Sequence, residues 1–318
     1  MLRWLIPEIH GVWLILPGMV AQTLAMGMFV PMLAPFAQHH LGLHPQQYAL
    51  VLMAGARWLR QSVKWQVRHQ PWMWILVVVS SLGVVAGCGT LPNGRGWGQD
   101  ATPWPGWQRV RTAAVDAALA PATWAPVAGA LTLQVGDMDK KLSRWASDHT
   151  PVFGSQTRAD RASDLLRDTA NAAYWLTALS TPSGERPKEW GVAKLKGLTV
   201  GMVAVALTSG ATEVLKAQIK RSRPDVSGTT SFPSGHASNA AVHATLASRN
   251  LESLQLPDWG RTAGRIGLAT LMVGTAWARV EAKEHFPSDA LAGAAIGHFL
   301  GAFLTMPSWA SIDPNASC

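Results

Sequence analysis

Apolar and charged positions follow three different rhythms along this 318-residue chain. Residues 11–36 carry no charge and are interrupted by Pro17, Pro31 and Pro35, a stretch long enough to span a bilayer. Residues 73–87 form a second uncharged run, shorter than a span and preceded by Arg57, Arg60, Lys64 and Arg68. Residues 109–180 read as helices with frequent charges, as in soluble helices. Within 158–179, Ala162, Leu165, Leu166, Thr169, Ala173 and Leu176 keep helical spacing with Arg and Asp opposite, which predicts an amphipathic helix. Residues 195–215, 266–278 and 290–306 are apolar and rich in small residues. Because the helices before them are so charged, these three are expected to be buried core helices of a soluble, all-α helical bundle rather than spans. Residues 182–187 read as a loop, and the Gly- and Pro-rich stretch before Trp107 as a flexible tether.

A basic segment, an apolar run and small residues describe a secretory signal. Here the run ends Val85-Ala86-Gly87-Cys88, which resembles a bacterial lipoprotein lipobox. That resemblance implies lipidation of Cys88, which would become the mature N-terminus. Four segments follow: an apolar extension over 1–62, a signal segment over 63–87, a tether over 88–108 and a helical domain over 109–318. Signals begin at the start of a chain, so residues 1–62 are expected to be an over-extended start or a fusion, the natural start lying near Met53 or Val63. The expected location is the bacterial cell envelope, facing the periplasm and anchored to a membrane. The outer membrane is preferred, because nothing at Gly89 resembles the Asp that retains lipoproteins at the inner one.

Charge and cysteine usage narrow the function. The net charge is +8, spread along the chain without the basic-aromatic block of a nucleic-acid binder. No nucleic-acid partner is expected; anionic substrates or a lipid surface fit the balance. Two cysteines give neither a disulfide framework nor a C-x-x-C metal pattern. Asp137 and Asp139 read as helix-start carboxylates. His243 and His298 read as core histidines, and the Trp residues from Trp97 to Trp309 as core and surface filling.

Chemistry concentrates between Lys216 and Asp289. Lys216 and Arg223 are seven apart, so a helix would project both, with Lys220, from nearly one face until Pro224 closes it. Arg suits a multi-oxygen anion because its planar fork donates parallel hydrogen bonds. In Pro233-Ser234-Gly235-His236, Ser234 is a plausible N-cap, and the helix start it opens offers free N–H groups to an anion. His236 would stand beside that anion and be held protonated. His285 and Asp289 are four apart, near enough for the carboxylate to orient the imidazole. One oriented His and a second His in an anion-binding turn suggest a nucleophile and an acid.

These three clusters resemble the three-part signature K-x6-RP, PSGH, SR-x5-H-x3-D of the type 2 phosphatidic acid phosphatase superfamily, which includes bacterial acid phosphatases and vanadium haloperoxidases. The resemblance covers roughly residues 190–306, with Lys216, Arg223, Pro224, residues 233–236, Arg279, His285 and Asp289 matching and Ala278 standing where the family usually has Ser. It implies an all-α bundle and a phosphatase in which His285 attacks phosphorus, Asp289 orients it and His236 protonates the leaving oxygen. Lys216, Arg223 and Arg279 would hold the phosphoryl oxygens, helped by Ser234 and the Gly235 N–H. It implies no metal and no other cofactor. The expected partners are a phosphorylated lipid or small phosphoester, and a membrane reached through the lipid anchor or the N-terminal segment. A vanadate-dependent haloperoxidase and a non-catalytic lipoprotein that binds lipid head groups are the alternative readings.

Overall fold

The computed structural model describes residues 89–103 and 105–309, and the side chains only to Thr305. Residues 1–62, the signal segment and Cys88 lie outside the described residues. Among the described residues eight α-helices follow one another: α1 Trp107–Leu119, α2 Pro121–Leu133, α3 Met138–His149, α4 Gln156–Ser180, α5 Pro187–Ile219, α6 Gly235–Glu252, α7 Asp258–Glu281 and α8 Pro287–Trp309, with a 3-10 turn over Val135–Asp137. Among the described residues there is no strand, only one antiparallel bridge between Gly89 and Gly184. The fold is all-α, as the residue pattern predicts.

Helix α6 is the centre of the bundle, packed against α8, α4, α7 and α5. Its sequence explains this. Ala237, Ala240, Ala241, Ala244 and Ala247 present small side chains on several faces, so neighbouring helices approach from more than one side, and all are buried. Gly293, Gly297 and Gly301 of α8 extend the same logic. A Cβ at Gly293 or Gly297 would run into the carbonyls of Ser234 and Ser238, and one at Gly301 would lie 3.1 Å from Thr245. Two backbones in such contact hold the start of α6 and the start of α8 in fixed register. The expected core placement of residues 290–306 agrees: Ala290, Ala294, Ala295 and Ala302 are buried.

Helix α5 departs from expectation. It was to be a buried core helix, yet only 22% of its most apolar window is buried, and it is long and apolar enough to cross a membrane. Val192, Val203, Leu207 and Val214 are exposed. Helix α7 is likewise one-sided, burying Leu268, Thr275 and Val280 while exposing Ile266 and Val273. The reason is geometric: a long helix docked on one side buries one stripe, however apolar its remaining surface.

The tether expectation also changes. Trp97 is 2% exposed and lies on α5 over Gly197, where a Cβ would collide with the indole. The Trp97 backbone N–H donates to the Pro182 carbonyl at 2.7 Å. Lys194 Nζ donates to the carbonyls of Ala178 at 2.9 Å and Thr181 at 2.6 Å, satisfying the C-terminal end of α4. The same ammonium sits 5.1 Å from the Trp97 ring, a cation–π contact. Gly and Pro shape the backbone here, but one large indole seated on a glycine decides its burial.

Candidate active site

Helix α5 delivers Lys216 and then stops. Lys220 adopts the left-handed conformation (φ 47°) and its N–H returns to the Lys216 carbonyl at 3.1 Å. Arg223 therefore stands in a loop, and the helical face it was to share with Lys216 and Lys220 does not form. The loop closes on itself instead: Arg223 N–H donates to the Gly228 carbonyl at 2.9 Å, and Ser231 N–H to the Arg221 carbonyl at 3.0 Å. What overrides the helix is Arg221. Its guanidinium donates to Asp139 at 2.7 Å and to Asp289 at 2.6 Å, and it lies 4.2 Å from the Phe286 ring. Two buried carboxylates anchored by one cation outweigh the small helix propensity of a few further residues.

Ser234 caps α6, its Oγ accepting the Ala237 N–H at 3.4 Å. Gly235 opens that helix, and Lys216 Nζ lies 3.2 Å from where a Gly235 Cβ would be. The ammonium therefore sits against the positive end of α6, a place suited to an anion between them. The Ser234 N–H donates to the Asp289 carbonyl at 3.0 Å, joining this turn to the start of α8.

Arg223 and Arg279, the two guanidiniums of the signature, meet at one carboxylate. Glu284 Oε2 is ion-paired with Arg223 and, at 3.0 Å, with Arg279. Arg279 also donates to Asp160 at 2.5 Å and Ser163 at 3.1 Å of α4. In both arginines the Nε–H is buried and without a hydrogen-bond partner. A buried donor left unpaired is costly, so two of them on adjacent guanidiniums mark a place for an acceptor. Ala278, beside Arg279, is fully buried.

His285 is 3% exposed, and its Nδ1 lies 2.6 Å from the Ser231 carbonyl. A carbonyl can only accept, so Nδ1 carries the proton and Nε2 keeps its lone pair. Burial pushes the imidazole down to about 3, aided by the positive charge of Arg279, while the Ser231 bond opposes the fall. The ring is neutral at ordinary pH. Its orienting partner differs from the expected one. Asp289 is fully buried and accepts from Ser231 Oγ at 2.5 Å, Phe286 N–H at 3.0 Å and Arg221. It reaches His285 through Ser231 rather than directly. Burial raises the Asp289 carboxyl, against the lowering effect of Ser231, Arg221 and Phe286.

His236 lies next to α4, with Nε2 2.7 Å from Arg167 and 3.0 Å from Asp164. Burial lowers it to about 4, with Arg279 adding to the fall, so it too is neutral at rest and not held protonated. Arg279 acts on both imidazoles, and His236 acts on His285.

Sequence reasoning passed over Arg221, Ser231, Asp139, Asp160, Asp164, Arg167 and Glu284. Asp139 fits the expected helix start, lying in the first turn of α3, but it is also buried and accepts the Ser288 N–H at 2.9 Å. The visible signal for three of the others was their spacing: Asp160, Asp164 and Arg167 fall in one row of α4.

Residues 197–312 match the PAP2 superfamily, which supports membership of that superfamily. The match takes in every residue of the signature from Lys216 to Asp289. A Lipid A 1-phosphatase of Porphyromonas gingivalis is 34% identical over 116 residues, which is 36% of this chain and 24% of that protein. The chain thus spans about a quarter of the length of that curated relative. A crystal structure described as that of the first transmembrane PAP2 type phosphatidylglycerolphosphate phosphatase from Bacillus subtilis aligns with 58% of this chain and 92% of the other, at a TM-score of 0.44 and 20% identity.

Proposed function

We propose that this chain is a phosphoric ester hydrolase that removes phosphate from a phosphorylated lipid through a phosphohistidine intermediate, without a metal. The observation that carries the reading is the pairing of a neutral His285, its Nδ1–H fixed on Ser231, with two guanidiniums whose Nε–H donors have no partner. Lys216, Arg223 and Arg279, the Ser234 hydroxyl and the Gly235 N–H hold the phosphoryl oxygens. The Nε2 lone pair of His285 forms a bond to phosphorus as the bond to the leaving oxygen breaks, and that oxygen takes a proton from His236. Water then attacks phosphorus, giving its proton to His236, and the P–N electrons return to Nε2. Neutral at rest, His236 gains the required proton when the negative charge of the bound phosphate favours its cationic form.

A lipid substrate is supported by where Lys216 sits. It ends the one described helix apolar enough to cross a membrane, so a bilayer lying against α5 brings head groups to the site. The relative named Lipid A 1-phosphatase acts on a phosphorylated lipid by its name, which favours the same substrate class here. Envelope localisation, with anchoring through Cys88 or the apolar segments before it, completes the reading; intact mass of the membrane-extracted protein would show the added diacylglycerol.

The test is phosphate release from phosphatidic acid, an isoprenyl pyrophosphate, phosphatidylglycerophosphate and soluble aryl phosphates. At least one lipid should be hydrolysed, and His285→Ala should lower kcat by about a thousandfold or more, the scale of losing a covalent nucleophile. Unchanged turnover in that variant would refute the assignment.

A further inference from the structure

We propose that Asp164 and Arg167, one turn apart on α4, are positioning residues that set the proton on His236 by offering it two mutually exclusive partners. This rests on the reading of His236 as the acid, and neither residue lies within the 197–312 match.

Nε2 of His236 is 2.7 Å from an Arg167 nitrogen and 3.0 Å from Asp164 Oδ1. Arg can only donate and an ionised carboxylate can only accept. One ring nitrogen cannot satisfy both at once: unprotonated it accepts from Arg167, protonated it donates to Asp164. The two partners are themselves paired at 3.1 Å, so each stays in place when the other holds the imidazole. Arg167 is also fixed from behind by Asp168 at 2.9 Å. The remaining charged group that acts on His236 is Arg279 of α7. It disfavours a second positive charge, which leaves Asp164 as the carboxylate that supports the protonated form.

The alternation follows the proton. Before transfer, Nε2–H rests on Asp164; the leaving oxygen then takes that proton and the freed lone pair accepts from Arg167. When water attacks the phosphohistidine its proton goes to Nε2, and the bond to Asp164 forms again. Asp164 is half-exposed, so the imidazole, neutral at rest, takes its first proton from solvent on that side.

The test uses the full-length chain labelled with 15N-histidine, the His236 signal being identified by its loss in His236→Gln. Its titration midpoint should fall by about one pH unit in Asp164→Asn and rise by about one in Arg167→Gln, the scale of one opposite or like charge at this range. Arg167→Lys should keep the midpoint near the native value. In an aryl phosphate assay the basic limb of kcat should move the same way in each variant. Should Arg167→Gln fail to fold, the isosteric Asp164→Asn and the charge-preserving Arg167→Lys still decide. A midpoint unmoved in Asp164→Asn, or moved alike in Asp164→Asn and Arg167→Gln, overturns the proposal. Absence of hydrolysis in every form, native included, would refute the phosphatase reading while leaving the titration to judge the two partners.

Discussion

The indirect hold of Asp289 on His285 gives a sharp prediction. Asp289→Ala removes an acceptor shared by Arg221 at 2.6 Å, Ser231 Oγ at 2.5 Å and Phe286 N–H at 3.0 Å, at a fully buried position. Breaking a buried ion pair from one side costs about 3–5 kcal/mol, because the remaining charge loses its partner. Arg221 keeps Asp139, so about 3 kcal/mol is expected from urea unfolding. Activity should fall less than if Asp289 held the imidazole itself. The carbonyl that accepts from Nδ1 belongs to the Ser231 backbone, which Asp289 fixes through the Ser231 hydroxyl and, by way of Arg221, through the bond from Ser231 N–H. Losing a partner one step removed from a reacting ligand lowers activity by about 10–100-fold. Ser231→Ala, which cuts the hydroxyl link alone, should cost part of that loss, and the double variant should cost little more than Asp289→Ala. The assay is kcat with a soluble aryl phosphate, measured well below each variant's unfolding midpoint. If Ser231→Ala is silent while Asp289→Ala loses about ten-thousandfold, as for a carboxylate bonded directly to a catalytic His, the relay through Ser231 is wrong.

Two further outcomes follow from charge. His243 is held neutral by burial at about 4, as His236 and His285 are at about 4 and 3, whereas an unfolded chain binds these protons near 6.5. The unfolded state therefore gains protons first, and stability is complete above about pH 6.5 and falls as pH drops toward 4. His243 alone should cost roughly 2 kcal/mol between pH 7 and pH 5, read from urea midpoints, and His243→Gln should lessen the slope by that share while His236 and His285 keep theirs; equal midpoints at the two pH values in the native protein would refute it. At Glu284, which bridges Arg223 and Arg279, the change to Gln removes a negative charge from beside the proposed phosphate seat. Inorganic phosphate should inhibit Glu284→Gln about tenfold more strongly, and weaker inhibition would mean that the carboxylate mainly preorganises the two guanidiniums.

What could be read in advance follows how locally each residue's job is defined. Ser234 as the N-cap and Gly235 in the first turn of α6 are set by residues within one turn, and the sequence alone predicts them. Lys216, Arg223, Arg279 and the two histidines were visible because an anion demands those side-chain types. The partners that complete them were hidden because their spacing carries no local signal: Arg221 meets Asp139 from 82 residues away, and Arg279 meets Asp160 from 119. Periodicity finds the polar face of α4 without saying what lies against it. A row of Asp and Arg looks the same whether water or a buried site receives it. The composition of that face nevertheless fits what it meets. An anion site built on Arg223, Arg279 and Lys216 needs compensating carboxylates while it is empty, and a neutral imidazole needs a donor beside an acceptor. Asp160, Asp164 and Arg167 supply both from one stripe of a single helix, so the polar side of α4 is the inner wall of the proposed site.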